Sequence, residues 1–184
     1  MDILHTLLYM SLLIGGVEMG VRKAREAKCA ESGEWLNCYR DPIVFECKNQ
    51  ETIDSISSIH SDKYEDRVWA FSCKRNLPIS GRCYWTPYVN DYDGLLNYNC
   101  PIGEALSGLH SEYNTYYHDR RWKFYCCGTN VRYIAGCQGT DYVNGFDSEM
   151  NFTVPDGYVL VGAFSEHKNY FEDRKWKFRY CKSQ

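Results

Sequence analysis

The side chains best placed to meet a ligand fall in two short runs. Arg121 and Lys123 alternate with other residues in the first, and Lys175, Lys177 and Arg179 alternate in the second. Alternate residues of an extended strand share one face at a spacing of about 7 Å, so each run offers a row of cations. Such a row suits a polyanion, of which sulfated glycosaminoglycan is the natural class. The competing reading is a solvated face neutralised by nearby Asp and Glu. Catalytic patterns are missing. His5, His60, His110, His118 and His167 show neither His-Glu-x-x-His zinc spacing nor a nucleophile elbow nearby. The glycines mark turns rather than a phosphate-binding loop, and no motif pairs the scattered acids as a glycosidase would. The expectation is a non-enzymatic protein with no catalytic residue, no metal site and no cofactor.

The elements that position these cations follow from an internal repeat. Asp119-Arg120-Arg121-Trp122-Lys123-Phe124 is matched by Asp66-Arg67-Val68-Trp69-Ala70-Phe71 and by Asp173-Arg174-Lys175-Trp176-Lys177-Phe178. The Asp-Arg pairs begin 53 and then 54 positions apart. With period two, Arg, Trp and Phe fall on one face and the cations on the other, which describes a β-strand with an aromatic inner side. Each repeat opens with an aromatic-aliphatic-Asn triplet: Trp35-Leu36-Asn37, Tyr88-Val89-Asn90 and Tyr142-Val143-Asn144. Short strands ending at Cys47, Cys100 and Val154 follow, and Pro-x-Gly turns come after the second and third of them. No segment of ten residues has helical periodicity. The chain is expected to be all-β, a pseudo-threefold assembly of repeats of about 53 residues. A β-prism-like arrangement of three small sheets is preferred, with a β-trefoil as the alternative.

Three copies of Asp-Arg-x-Trp-x-Phe, with Cys four or five residues after the Trp in each, resemble the dermatopontin family. That family comprises tyrosine-rich matrix proteins and the related horseshoe crab haemagglutinin/amebocyte aggregation factor. The resemblance runs from about Trp35 to Cys181. It implies extracellular proteins that bind proteoglycans, matrix and cell surfaces. It also raises tyrosine sulfation beside acids, at Tyr64 and Tyr92. The Tyr-Gly-rich N-terminal segment associated with the vertebrate members is absent, which turns the expectation towards the agglutinin-like branch.

The repeats supply controls for cysteine pairing. Cys47 to Cys73 and Cys100 to Cys126 both span 26 positions, and in the third repeat both partners are replaced together, by Val154 and Tyr180. Cys83 to Cys127 and Cys137 to Cys181 both span 44 positions, and Lys74 takes the place of the second cysteine in repeat one. These pairs are therefore expected, with Cys29–Cys38 as the remainder. Ten cysteines in 184 residues indicate an oxidising compartment. An apolar run within residues 1–20 reads as a secretory signal, too short for a membrane span. Residues 21–34 read as a basic arm tied down at Cys29. Residues 35–184 form one domain with repeats at 35–82, 83–136 and 137–184. Asn151-Phe152-Thr153 is a glycosylation sequon.

The formal charge is −3, from 21 Lys and Arg against 24 Asp and Glu. That argues against nucleic acid, and the lack of a second long apolar run argues against membrane insertion. The expected function is a secreted adhesion or aggregation protein. Its partners would be sulfated glycosaminoglycans, proteoglycans or other cell-surface glycans, together with matrix proteins and further copies of itself. Two alternatives stand beside it: a structural matrix component without glycan binding, and a defence lectin whose neutral-sugar pocket uses Trp35/Asn37, Tyr88/Asn90 and Tyr142/Asn144.

Overall fold

The computed structural model describes residues 35–48, 51–75, 79–129 and 134–183. The expected signal, the arm and Cys29 lie outside them, and so does the Cys29–Cys38 pairing. Among the described residues there are eleven strands and no helix, hence none long and apolar enough to cross a membrane. In chain order they are β1 (Ile43–Glu46), β2 (Thr52–Ser61), β3 (Asp66–Lys74), β4 (Ile79–Trp85), β5 (Leu96–Asn99), β6 (Glu104–Asn114), β7 (Asp119–Thr129), β8 (Ile134–Gly139), β9 (Met150–Thr153), β10 (Tyr158–Lys168) and β11 (Asp173–Ser183). The repeat limits proposed from sequence, 82/83 and 136/137, fall inside β4 and β8. These strands pair with β7 and β11 and so begin the repeats that follow them.

Each repeat contributes one long antiparallel hairpin, β2–β3, β6–β7 or β10–β11. The short strand of each repeat leaves its own hairpin and pairs with another. β1 joins β6, β5 joins β10, and β9 returns to β2. Three sheets result, ordered β1-β6-β7-β4, β5-β10-β11-β8 and β3-β2-β9. A register shift occurs at the same place in every hairpin, around Asp54, Ser107 and Val161. Each of these bulged residues offers its carbonyl to the chain leaving the exchanged strand: Val154 N–H to Asp54 at 2.8 Å, Cys47 to Ser107 at 2.7 Å, and Cys100 to Val161 at 2.8 Å. The backbones approach closely here. A Cβ on Gly162 would stand 2.5 Å from the Tyr98 carbonyl oxygen.

The motif tryptophans meet at the centre. Trp69, Trp122 and Trp176 lie edge to face, with ring centroids 5.0, 5.4 and 5.2 Å apart and interplanar angles of 73–82°. Edge-to-face contacts match a ring's positive rim to its neighbour's negative face and contribute about 0.5–1.5 kcal/mol each beyond burial. Phe124 and Phe178, with Ile56, Leu109 and Leu160, complete this core. Arg67, Arg120 and Arg174, two residues before the motif tryptophans of β3, β7 and β11, share the buried side. There they close a ring of ion pairs between repeats. Arg67 grips Asp173, Arg120 grips Asp66 and Arg174 grips Asp119, each through two nitrogens at 2.6–2.7 Å. The second Asp oxygen also receives a loop N–H, from Arg40, Asp93 or Asp147.

Disulfides join Cys47–Cys73, Cys100–Cys126, Cys83–Cys127 and Cys137–Cys181. The first two tie an exchanged strand back to its own repeat's motif strand. The others cross directly between paired neighbours, with Cα atoms 4.1 and 3.9 Å apart. Lys74, at the place of Cys127 and Cys181, bonds instead to Asp54 at 2.9 Å and donates to the Val154 carbonyl at 2.8 Å. A charged contact thus replaces a covalent one, and it holds β9 where repeat three has no cysteine.

Candidate functional site

The outward face of β7 carries Arg121 and Lys123, whose side chains flank the ring of Tyr88 from the repeat's opening triplet. Their cationic groups lie 3.9 and 4.4 Å from its centroid. Arg121 also pairs with Glu112 of β6 at 3.1 Å and covers Tyr92 at 4.9 Å. On β11 the arrangement recurs. Lys175 and Lys177 lie 4.0 and 4.3 Å from the centre of Tyr142, and Lys175 pairs with Glu166 at 3.2 Å. The tyrosine provides a negative π-face for the cations and a hydroxyl for the carboxylate. Burial and then a hydrogen bond to Glu112 push Tyr88 up to about 12, and the same causes raise Tyr142 beside Glu166. In return the Tyr88 hydroxyl, aided by Arg121, holds Glu112 below the usual carboxylate range. Tyr142 and Lys175 do the same to Glu166.

Each cluster therefore contains one cation paired with a carboxylate and one that is not. Lys123 and Lys177 make no ion pair with a described residue and contact the tyrosine faces. Arg179 is exposed at the end of the second row. With Lys177, Asn97, Asn99 and Gln138 it borders an open groove of about 380 Å³ between β5, β8 and β11. Repeat one has Trp35, Ile59, Val68 and Ala70 at the corresponding positions, so its version of the patch is apolar. The neutralising carboxylates come from β6 and β10, the hairpin partners of β7 and β11, and sequence spacing alone did not identify them.

The alternative reading, a neutral-sugar pocket at the triplets, finds its asparagines committed to backbone. Asn37, Asn90 and Asn144 are buried, and their amides are fully engaged with backbone. Each Oδ1 accepts the N–H of the motif Trp 32 positions on, at 2.9–3.0 Å. Each Nδ2 donates to the preceding Arg carbonyl at 2.9–3.2 Å and to its own neighbour's carbonyl. These residues stitch the repeat's opening to its last strand. The fixed spacing of 32 was the signal that could have revealed this role.

Of the modification candidates, Tyr92 lies under Arg121 in the first cluster, and Tyr64 and Asn151 belong to neither cluster. Tyr64 stacks on Tyr39 at 4.8 Å, and Tyr92 stacks on Tyr117 at 5.1 Å, so both rings are half-buried. Asn151 is exposed on β9, the outer strand of its sheet.

A family model described as dermatopontin matches residues 37–184. The chain is 44% identical over 153 residues to the hemagglutinin/amebocyte aggregation factor of Limulus polyphemus, covering 82% of this chain and 88% of that protein. It is 42% identical over 146 residues to Millepora cytotoxin-1 of Millepora dichotoma, covering 79% of this chain and 65% of that one. Dermatopontin of Biomphalaria glabrata is 35% identical over 148 residues, covering 80% and 99%. No solved structure matches. With a family model spanning nearly all of the described chain, and two relatives at 35% identity or more covered over 88% and 99% of their length, the chain belongs to the dermatopontin family.

Proposed function

We propose that this is a secreted, non-enzymatic adhesion or aggregation protein that binds sulfated glycans of cell surfaces or matrix through the β7 and β11 faces. The observation that carries the reading is the duplicated cluster, in which a Glu neutralises Arg121 or Lys175 and leaves Lys123 or Lys177 to a polyanion. Aggregation requires at least two sites per particle, and two equivalent sites on separate sheets supply them within one chain. The disulfide framework suits an extracellular setting. Similarity to a hemagglutinin/aggregation factor over most of its length supports the same reading. Matrix proteins and further copies of the chain are the other partners, Arg179 and its groove extend the second patch, and Asn151 is the glycan acceptor. Sulfation at Tyr92 would set an anion against Arg121 and weaken the first patch, whereas Tyr64 lies away from either.

The test is erythrocyte agglutination by purified protein, titrated with heparin, NaCl and simple sugars. At about 0.5 M salt the screening length is roughly 4 Å, short enough to suppress a row of surface cations. Agglutination should be lost with heparin or salt and survive monosaccharides. The K123E/K177E variant should fail to agglutinate while melting at the wild-type temperature. Full agglutination by that variant, or indifference to heparin, overturns the reading and leaves a matrix building block.

A further inference from the structure

We propose that His60, Asp62 and Asp147 form a site for one divalent transition-metal ion, zinc by class, which ties repeat one to repeat three. His60 stands near the end of β2, Asp62 opens the turn that follows, and Asp147 belongs to the turn ahead of β9. The His60 side chain is 1% exposed, and neither ring nitrogen has a hydrogen-bond partner. Its Nδ1 lies 3.3 Å from Asp62 Oδ1 and 3.4 Å from Asp147 Oδ1. A ring nitrogen carries at most one hydrogen, so it cannot serve two carboxylates, and neither contact has hydrogen-bond geometry. The same distances match the edges of a tetrahedron. With metal–ligand bonds of about 2.0–2.1 Å, neighbouring ligand atoms stand about 3.3–3.4 Å apart.

Donor chemistry agrees. One imidazole and two carboxylates suit zinc or its first-row neighbours better than calcium, which takes six to eight oxygens. Two negative charges balance the ion. Asp62 is 87% exposed, so the site opens to solvent on one side, and the fourth position falls to water.

The other two junctions between repeats show what completes the site. His167 and Asp93 repeat the His60 and Asp147 positions at 3.4 Å, but Asn169 replaces Asp62. The third carboxylate grouped with them, Asp119, has both oxygens on Arg174 at 2.6 Å, and Glu172 lies 3.8 Å from the other ring nitrogen, Nε2. At the remaining junction Tyr113 packs against Arg40. Among the described residues, only the junction between repeats one and three turns two carboxylates free of arginine onto one ring nitrogen of a histidine.

The experiment is titration of the untagged, chelator-treated full chain with Zn²⁺ by calorimetry and with Co²⁺ by visible spectroscopy. Wild type should bind one ion, give a tetrahedral-type Co²⁺ spectrum and melt at a higher temperature with Zn²⁺. Asp62→Asn, at an exposed side chain that folding does not depend on, should raise the Zn²⁺ Kd by about tenfold or more and remove the thermal shift. His60→Gln should abolish the Co²⁺ spectrum, and His167→Gln should leave it intact. Binding that is unchanged in Asp62→Asn, or no binding by wild type at millimolar Zn²⁺, overturns the proposal. Agglutination is not a readout here, so this result is independent of the glycan reading.

Discussion

Replacing Arg120 by Met tests the ring of ion pairs. Arg120 spans two repeats: its Nε and one Nη donate to the Asp66 carboxylate at 2.7 Å, and the same Nη donates to the Asp41 carbonyl at 3.0 Å. Both side chains are at most 4% exposed. The methionine fills most of the volume, so the main loss is electrostatic: Asp66 keeps its charge with the Arg40 N–H as its remaining donor of those described. Removing one partner of such a buried pair costs about 3–5 kcal/mol, most of it the penalty of the stranded charge. For a domain of this size that corresponds to a fall in Tm of roughly 6–20 °C. Guanidinium unfolding with disulfides intact measures it. The double variant R120M/D66N removes the stranded charge and should recover part of the loss, with a coupling of about 1–3 kcal/mol. Because Arg67 and Arg174 make the same bidentate contacts, R67M and R174M should behave alike. A loss below about 1 kcal/mol for R120M, the range of an exposed pair, would refute the reasoning.

Other perturbations have equally definite outcomes. Gly162→Ala should destabilise by about 1–3 kcal/mol, measured by denaturant midpoint, because the new methyl meets the Tyr98 carbonyl. Replacing Cys100 by Val and Cys126 by Tyr, the residues found in repeat three, should leave a folded chain that is weaker by about 3–4 kcal/mol on the chain-entropy model. Tyr84, Tyr88 and Tyr113 are held near 12, burial being the first cause in each. Their raised values favour the folded state fully below the ordinary tyrosine range, and that contribution is lost as pH rises from about 10 to 12. Stability should therefore fall across that window, with these phenols ionising late in an absorbance titration. Glu112 and Glu166, held low, contribute above the ordinary glutamate range, and that contribution should fade as pH drops through their depressed values.

The motif strand was legible because Arg, Trp and Phe at alternate positions can only share one face. Four of the cysteine pairs could be deduced because aligned repeats show which residues vanish together. What sequence hid was everything that passes between repeats. β1, β5 and β9 look like parts of their own repeats, and no local pattern tells an exchanged strand from a retained one. The Asp-Arg dipeptides mark the repeat, but the ion-pair partners of their arginines sit 54, 55 and 106 positions away. The Asn of each triplet suggested sugar chemistry because a polar amide beside an aromatic is common to both roles, and only burial separates them. His60 and Asp147 are 87 positions apart, beyond any metal-ligand spacing that can be read along a chain.

The exchange of short strands also fixes an order of events during synthesis. The β2–β3 hairpin is complete at Lys74, but its outer partner, β9, begins at Met150, 76 residues later. At about 5–20 residues per second, the ribosome leaves that edge unpaired for roughly 4–15 s. An open strand edge accepts any matching strand, including β9 of another nascent chain. The same geometry that makes three repeats into one unit therefore provides a route to swapped dimers, decided by whether a chain finds its own β9 before it finds a neighbour's.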